Sequence, residues 1–334
     1  MTGHSKPRWL RALNVIFLVV GVSALAIIIH QLGWDKLESA VRRVGFGFVF
    51  ILLLHLGDVA LDSFILQRCA GTHGASTGYR VFLHASLAGH AINEAVPFNS
   101  VGEVTKYNLM REHIPGHAAA AALVVQNLIR FVTMSVFIAM AAPVTLLILE
   151  PSRVATIALI ITSAVFIIAG SVSLWLLFRG IGELPLTIAR KVGFSADRVD
   201  RWRNKWGEVA GHWETVAGNG VRLRSAWLAS IIARSLALAE SALILHYLGV
   251  DNLFAMALLT MANYQVVVWA TSFIPFQAGT TEGGAYFLYK AVGLSAQLGV
   301  VVELIRRTRR AAFIALGVLL LAVKSVRPPR SEES

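Results

Sequence analysis

The sequence predicts an all-α, polytopic integral membrane protein. We expect about six full transmembrane helices plus two re-entrant broken-helix hairpins arranged as an inverted repeat. Three observations predict it. Of 334 residues, 56% are hydrophobic and only 15% charged, with a mean hydropathy of +0.66, whereas soluble domains carry roughly 25% charged residues. Uncharged windows at 13–29, 154–178 and 252–281 approach or exceed the about 20 apolar residues that cross a bilayer core. Two apolar segments, 79–112 and 253–291, are interrupted by Pro, Gly and polar residues in similar patterns.

The chain opens with Lys6, Arg8 and Arg11 and enters the apolar run 13–29. Ala24-Leu25-Ala26 imitates a signal cleavage site, but the run continues to Ile29, so we read an uncleaved first span. Residues 34–43 mix charges with apolar residues at helical spacing and predict a short interfacial helix. A second span covers about 46–66, followed by a Gly- and Ser-rich link. Residues 79–112 are broken by Asn93-Glu94, Pro97 and Gly102-Glu103, too polar for a lipid-facing helix, and predict the first hairpin. A long span at 118–149 carries a single charge, Arg130, and a turn at Glu150-Pro151 leads into the span 154–178. Residues 179–224 form the one sizeable extramembrane stretch. Within it Arg198, Arg201, Arg203 and Lys205 alternate with Trp202, Trp206 and Trp213, a composition that suits either an anionic membrane surface or an ordinary solvated loop. A span at 226–248, the second hairpin around Pro275 and a last span near 296–323 complete a single transmembrane domain, 1–334.

Lys and Arg outnumber Asp and Glu by 30 to 19, giving +11 and a pI near 10.3. In a soluble domain this would suggest nucleic acid, but no soluble binding module is present and nucleic acid is excluded as a partner. The basic residues collect at the amino terminus, in 179–224 and in the tail 324–334, as expected of cytoplasmic segments. Six spans and two hairpins place all three on that side, with Arg42 and Arg43 as a local exception. The lone Cys69 permits no internal disulfide and offers no metal-ligand spacing.

The two hairpins resemble each other. Pro97-Phe98-Asn99-Ser100-Val101-Gly102-Glu103 matches Pro275-Phe276-Gln277-Ala278-Gly279-Thr280-Thr281-Glu282. Each is followed by a shared signature, Val124-Val125-Gln126-Asn127-Leu128-Ile129-Arg130 and Val301-Val302-Glu303-Leu304-Ile305-Arg306. The repeats span about 46–150 and 226–323, and the topology inverts one relative to the other. Inverted repeats with broken helices form substrate sites near the membrane midplane in many transporters. Half-helices starting near Gly102 and Thr280 would aim their positive ends at an anionic group.

Ionisable groups inside a bilayer need a partner or a task. His55, Asp58 and Asp62 share one helical face, and either pair with Arg130 or Arg234 or form a candidate proton relay. His84, His90 and Glu94 contain one i,i+4 pair but no third ligand placed by spacing, and no metal is expected. Arg306, Arg307, Arg309 and Arg310 precede only thirteen apolar residues, 311–323, about 20 Å of helix. Unless they are a topology signal, some of these arginines must lie at membrane depth or in a wet cavity, where guanidinium suits phosphate.

At these residues the chain resembles the flippase-like family that includes the transmembrane region of lysylphosphatidylglycerol synthases, the bacterial multiple-peptide-resistance proteins. The resemblance covers roughly 13–323 and rests on Pro97, Gly102, Glu103 and Lys106, and on Pro275, Gly279 and Glu282. Lys106 stands where the family usually has Arg. The resemblance implies flipping of a polar lipid between leaflets of a bacterial inner membrane, with both termini cytoplasmic and the hairpins forming head-group cavities. The lipid partner would carry an anionic or zwitterionic head group, and a separate lipid-synthesising enzyme is a second candidate partner. Candidate substrate-binding residues are Asn93, Glu94, Asn99, Glu103, Lys106, Arg130, Gln277, Thr280, Glu282 and Arg306. Of these, Arg130, Arg306 and Lys106 are expected at phosphate. Glu103 and Glu282 either contact the head group, exchange protons or cap half-helix amides. No catalytic residue and no cofactor is expected. Two rivals stand beside this reading. One is an intramembrane enzyme using Glu103 or Glu282 with His90. The other is a scaffold for a synthase that docks on 179–224.

Overall fold

In the computed structural model, every regular element among the described residues is an α-helix. The described residues are 34–95, 100–179, 219–271 and 279–326, with Thr187, Lys191, Arg203, 207–211, Trp213, Thr215, Val216 and Gln277. The expected first span, most of 179–218 and residues 327–334 lie outside them. In chain order the helices are α1 (Trp34–Val44), α2 (Gly47–Cys69), α3 (Gly71–Thr77), α4 (Tyr79–Ala95), α5 (Ser100–Met110), α6 (Gly116–Ile148), α7 (Arg153–Arg179), α8 (Gly220–Tyr247), α9 (Leu253–Ala270), α10 (Thr280–Ala291) and α11 (Ala296–Val326).

Five of them, α2, α6, α7, α8 and α9, are long and apolar enough to cross a membrane. The protein is a multi-pass membrane protein. α11 has 31 residues, about 46 Å, but its charged residues, Glu303, four arginines and Lys324, set it apart from that group. Both broken segments appear as packed helix pairs, α4 with α5 and α9 with α10. The second arm of each is short: α5 has 11 residues and α10 has 12, about 17 and 18 Å. α9, at 18 residues, is by itself long enough to cross.

α1 carries Asp35 in its first turn and Arg42 and Arg43 in its last, the polarity that a helix dipole favours. An Arg42–Glu38 ion pair at 2.6 Å ties adjacent turns. The Gly- and Ser-rich link after α2 is largely helical. Gly74 lets α3 fold back against the Gln67 carbonyl, where a Cβ would collide, and the Gln67 amide donates to the Gly74 carbonyl at 3.0 Å. Trp213 also departs from a surface reading. It is buried in the cluster with Leu177, Val216 and Leu223, and its indole N–H donates to the Leu177 carbonyl at 3.2 Å, one of the last four carbonyls of α7 that lack a helical partner.

Packing relates the two halves. α2 and α8 run antiparallel along the molecule's centre. Gly47 lies against Tyr247, Gly57 against Leu236 and Asp58 against Arg234, one number rising as the other falls. The halves also exchange arms: α4 packs on α11, and α9 packs on α6. α7 packs chiefly on α6 and keeps an apolar outer face, with Ile157, Ile161, Ile168 and Trp175 exposed.

Candidate functional site

Between the two halves lies a cavity of about 550 Å³, walled by α2, α4, α5, α6, α8, α9 and α11. Its lining divides by chemistry. His55, Asp58, Glu94, Arg130, Arg234, Glu240, Arg306 and Arg309 supply charge or protonatable groups, while Phe131, Met134, Met261, Val268 and Trp269 supply an apolar side. Phe131 and Trp269 stack at 5.1 Å and extend the apolar side toward Phe166.

Beneath the first half of the cavity is Asp62, 1% exposed. It sits on the buried face of α2 with Ile51, His55, Val59 and Leu66, as the spacing predicts. Arg130 reaches it from α6 at 3.0 Å, His90 from α4 at 2.8 Å and Lys106 from α5 at 3.5 Å. Gln126 donates to the Asp62 backbone carbonyl at 2.8 Å. A lone carboxylate at this depth would cost several kcal/mol, and three helices converge on α2 to neutralise it. Lys106, fully buried, also binds Glu103 at 2.9 Å, and Asn127 donates to the other Glu103 oxygen at 3.2 Å. The close crossing of α4 and α5 explains Gly102. A Cβ there would collide with the Gly89 carbonyl and the Asn93 amide, and its N–H donates to Asn93 Oδ1 at 2.7 Å. That end of α5 therefore spends this amide inside the protein.

The second half repeats the logic with different residues. Glu240 on α8 pairs with Arg309, and Arg306 bonds Glu303 at 2.8 Å and Ser241 Oγ at 3.0 Å. Arg306 also lies over the Tyr264 ring at 4.7 Å, a favourable cation–π distance. Arg307 holds the break between α9 and α10. It bonds the Glu282 carboxylate and donates to the Gln277 carbonyl at 3.0 Å, in a stretch where Gln277 and Gly279 both adopt positive φ. Thr280 Oγ1 donates to the same carbonyl at 3.0 Å. Arg306, Arg307, Arg309 and Arg310 are all buried, at 9% exposure or less.

Asn93, Glu94, Glu103, Arg130 and Arg306, with His55 and Asp58, line the cavity. Asp62 and Lys106 lie behind its wall, and Gln277, Thr280 and Glu282 belong to the network at the second break. Asn99, Pro97 and Pro275 fall outside the described residues. Among the described residues, Glu103 and Glu282 bond side chains, including partners on the following span, and not amides at their own helix starts. Glu240, Ser241, Tyr264 and Gln265 were not singled out by sequence. A signal for the first two exists: the acid–serine pair Asp62-Ser63 of α2 recurs as Glu240-Ser241 of α8. Among the described residues no three His, Cys, Asp or Glu side chains converge as a metal site.

The model of one protein family, described as the lysylphosphatidylglycerol synthase TM region, matches residues 14–317, nearly the whole chain. That match ties the chain's function to membrane lipids. No curated protein and no solved structure matches it.

Proposed function

The chain belongs to the lysylphosphatidylglycerol synthase transmembrane-region family, and from that premise we propose that it moves a polar, phosphate-bearing lipid between the leaflets of a bacterial inner membrane. The route is the cavity between the two halves, with the α4/α5 and α9/α10 pairs as re-entrant hairpins and both termini on the cytoplasmic side.

The observation that carries this reading is the two-sided lining. An amphiphile needs a polar chamber for its head and a contiguous apolar surface for its chains, and the cavity offers both. Arginine is suited to phosphate through two parallel N–H donors. Arg234 and Arg309 each retain a buried Nε without a hydrogen-bond partner, and a buried donor left unmade costs about 1–3 kcal/mol. A phosphate in the cavity would supply the missing acceptor. Glu103 and Glu282 set the positions of the short arms α5 and α10 against the spans behind them.

The test is leaflet exchange of fluorescent phosphatidylglycerol in proteoliposomes, comparing wild-type protein with the double variant Glu103→Gln, Glu282→Gln at equal folded yield. Exchange by wild type that falls at least tenfold in the variant supports the reading. Equal exchange by both removes the two glutamates from the route. No exchange by wild type with any phosphate-bearing lipid sinks the proposal.

A further inference from the structure

Among the described residues, charge pairing around the cavity leaves over one acid on its wall and one base behind it. Among the described residues Asp58 holds Arg234 at 2.9 Å, Glu103 holds Lys106 at 2.9 Å, Asp62 holds Arg130 at 3.0 Å, and Glu240 holds Arg309. Glu94, on α4, forms no ion pair with an arginine or lysine. Its ionic neighbour is His55, whose Nε2 stands 3.7 Å from Oε1, longer than a hydrogen bond. Glu94 Oε2 and His55 Nε2 are both buried without a partner, and both side chains line the cavity. On α11, Arg310 is buried with Nε and Nη2 likewise unpartnered.

The surroundings of the Glu94–His55 pair are set by every helix packed around it. α8 presents Arg234 and Glu240, and α11 presents Arg309 and Arg310, which act electrostatically on Glu94. On α4, His90 is bonded to Asp62, and α5 and α6 contribute Glu103, Lys106 and Arg130, all already paired. An ionised Glu94 thus balances the unpaired charge of Arg310 from a distance, with neither touching the other. A phosphate drawn to Arg309 on the cavity wall, within the field of Arg310 behind it, would take over that balance and set a second negative charge beside Glu94. Like charges at close range disfavour ionisation, and a proton on the carboxyl relieves the repulsion.

We propose that Glu94, backed by His55, takes up a proton when an anionic head group enters the cavity and releases it when the head group leaves, so that lipid and proton move together. This rests on the head-group reading of the cavity. The coupling is reciprocal: protonation of Glu94 strengthens anion binding by the factor by which the anion strengthens protonation. Asp58 and Asp62, each held by an arginine, have no such freedom.

Calorimetry with the purified protein in detergent tests it, using a water-soluble short-chain phosphatidylglycerol as probe in two buffers of equal pH and different ionisation heat. In wild type the heats should differ between buffers in the sense of proton uptake, approaching one proton per lipid bound. In Glu94→Gln binding should persist and the buffer dependence vanish, while Glu94→Asp, which keeps a carboxyl, should restore most of it. Wild type that binds the lipid without proton uptake overturns the inference and leaves the head-group reading standing. Undiminished uptake in Glu94→Gln overturns it likewise, and absence of any binding to wild type overturns both.

Discussion

The two halves of the molecule solve one problem with opposite distributions of charge. In the first, the short arm α5 carries both Glu103 and the buried Lys106 that neutralises it, and the span α6 contributes only the neutral Asn127. In the second, the short arm α10 contributes Glu282 and the span α11 contributes the cation, Arg307. The first arm therefore carries its own counter-ion, which it shares with Asp62, and is fixed by close packing at Gly102. The second is fixed across the helix boundary by one guanidinium. The two halves reach neutrality with the securing residues on different helices, because what an apolar surrounding demands is a partner for each charge and not a particular residue at a particular place.

The comparison can be broken most forcefully at Arg307. Replacing it with Met leaves the partly buried Glu282 carboxylate without its cation and the Gln277 carbonyl with Thr280 alone. Removing one member of such a pair costs about 3–5 kcal/mol, so Arg307→Met should unfold at a clearly lower temperature in detergent. Adding Glu282→Gln should recover most of the loss. Gly102→Ala comes next, since its methyl must displace the Gly89 carbonyl and the Asn93 side chain, an overpacking cost of about 1–3 kcal/mol. Asn127→Ala should cost only about 1 kcal/mol, because Glu103 keeps Lys106. Equal losses for Asn127→Ala and Arg307→Met would erase the distinction. The smallest effect, and one of opposite sign, is expected at Gly283 of α10, where a Cβ meets open space. There Gly283→Ala should raise stability by up to about 1 kcal/mol.

Much of the fold was legible in the sequence because lipid-facing helices must be long, apolar and uninterrupted. α2, α6 and α7 lie close to their expected bounds for that reason. For the Arg306 to Arg310 cluster, the thirteen apolar residues that follow it left a topology signal and a place at depth both open, and the structure buries all four arginines within the protein. The partner of each charge was harder to read. Asp62 gathers side chains from α4, α5 and α6, up to 68 residues away in sequence, and periodicity within one helix gives its face but not which helix answers it. Glu240 lies in no motif of the two hairpins, and the expected span 226–248 offers it one arginine, Arg234. The structure instead sends Arg234 to Asp58 and Arg309 to Glu240. The Gly- and Ser-rich link is helical because Gly74 permits a contact that composition alone does not reveal.

The central claim is that lipid passes through the cavity between the halves, and a plug placed there tests it without disturbing a charge. Ala237 lines the cavity from α8, so Ala237→Trp should fill it while leaving the ion pairs and the hairpins intact. Leaflet exchange of fluorescent phosphatidylglycerol in proteoliposomes, measured for wild type and for Ala237→Trp at matched folded protein, should be rapid in the first and reduced to the protein-free rate in the second. Exchange by the plugged protein as fast as by wild type would contradict the account.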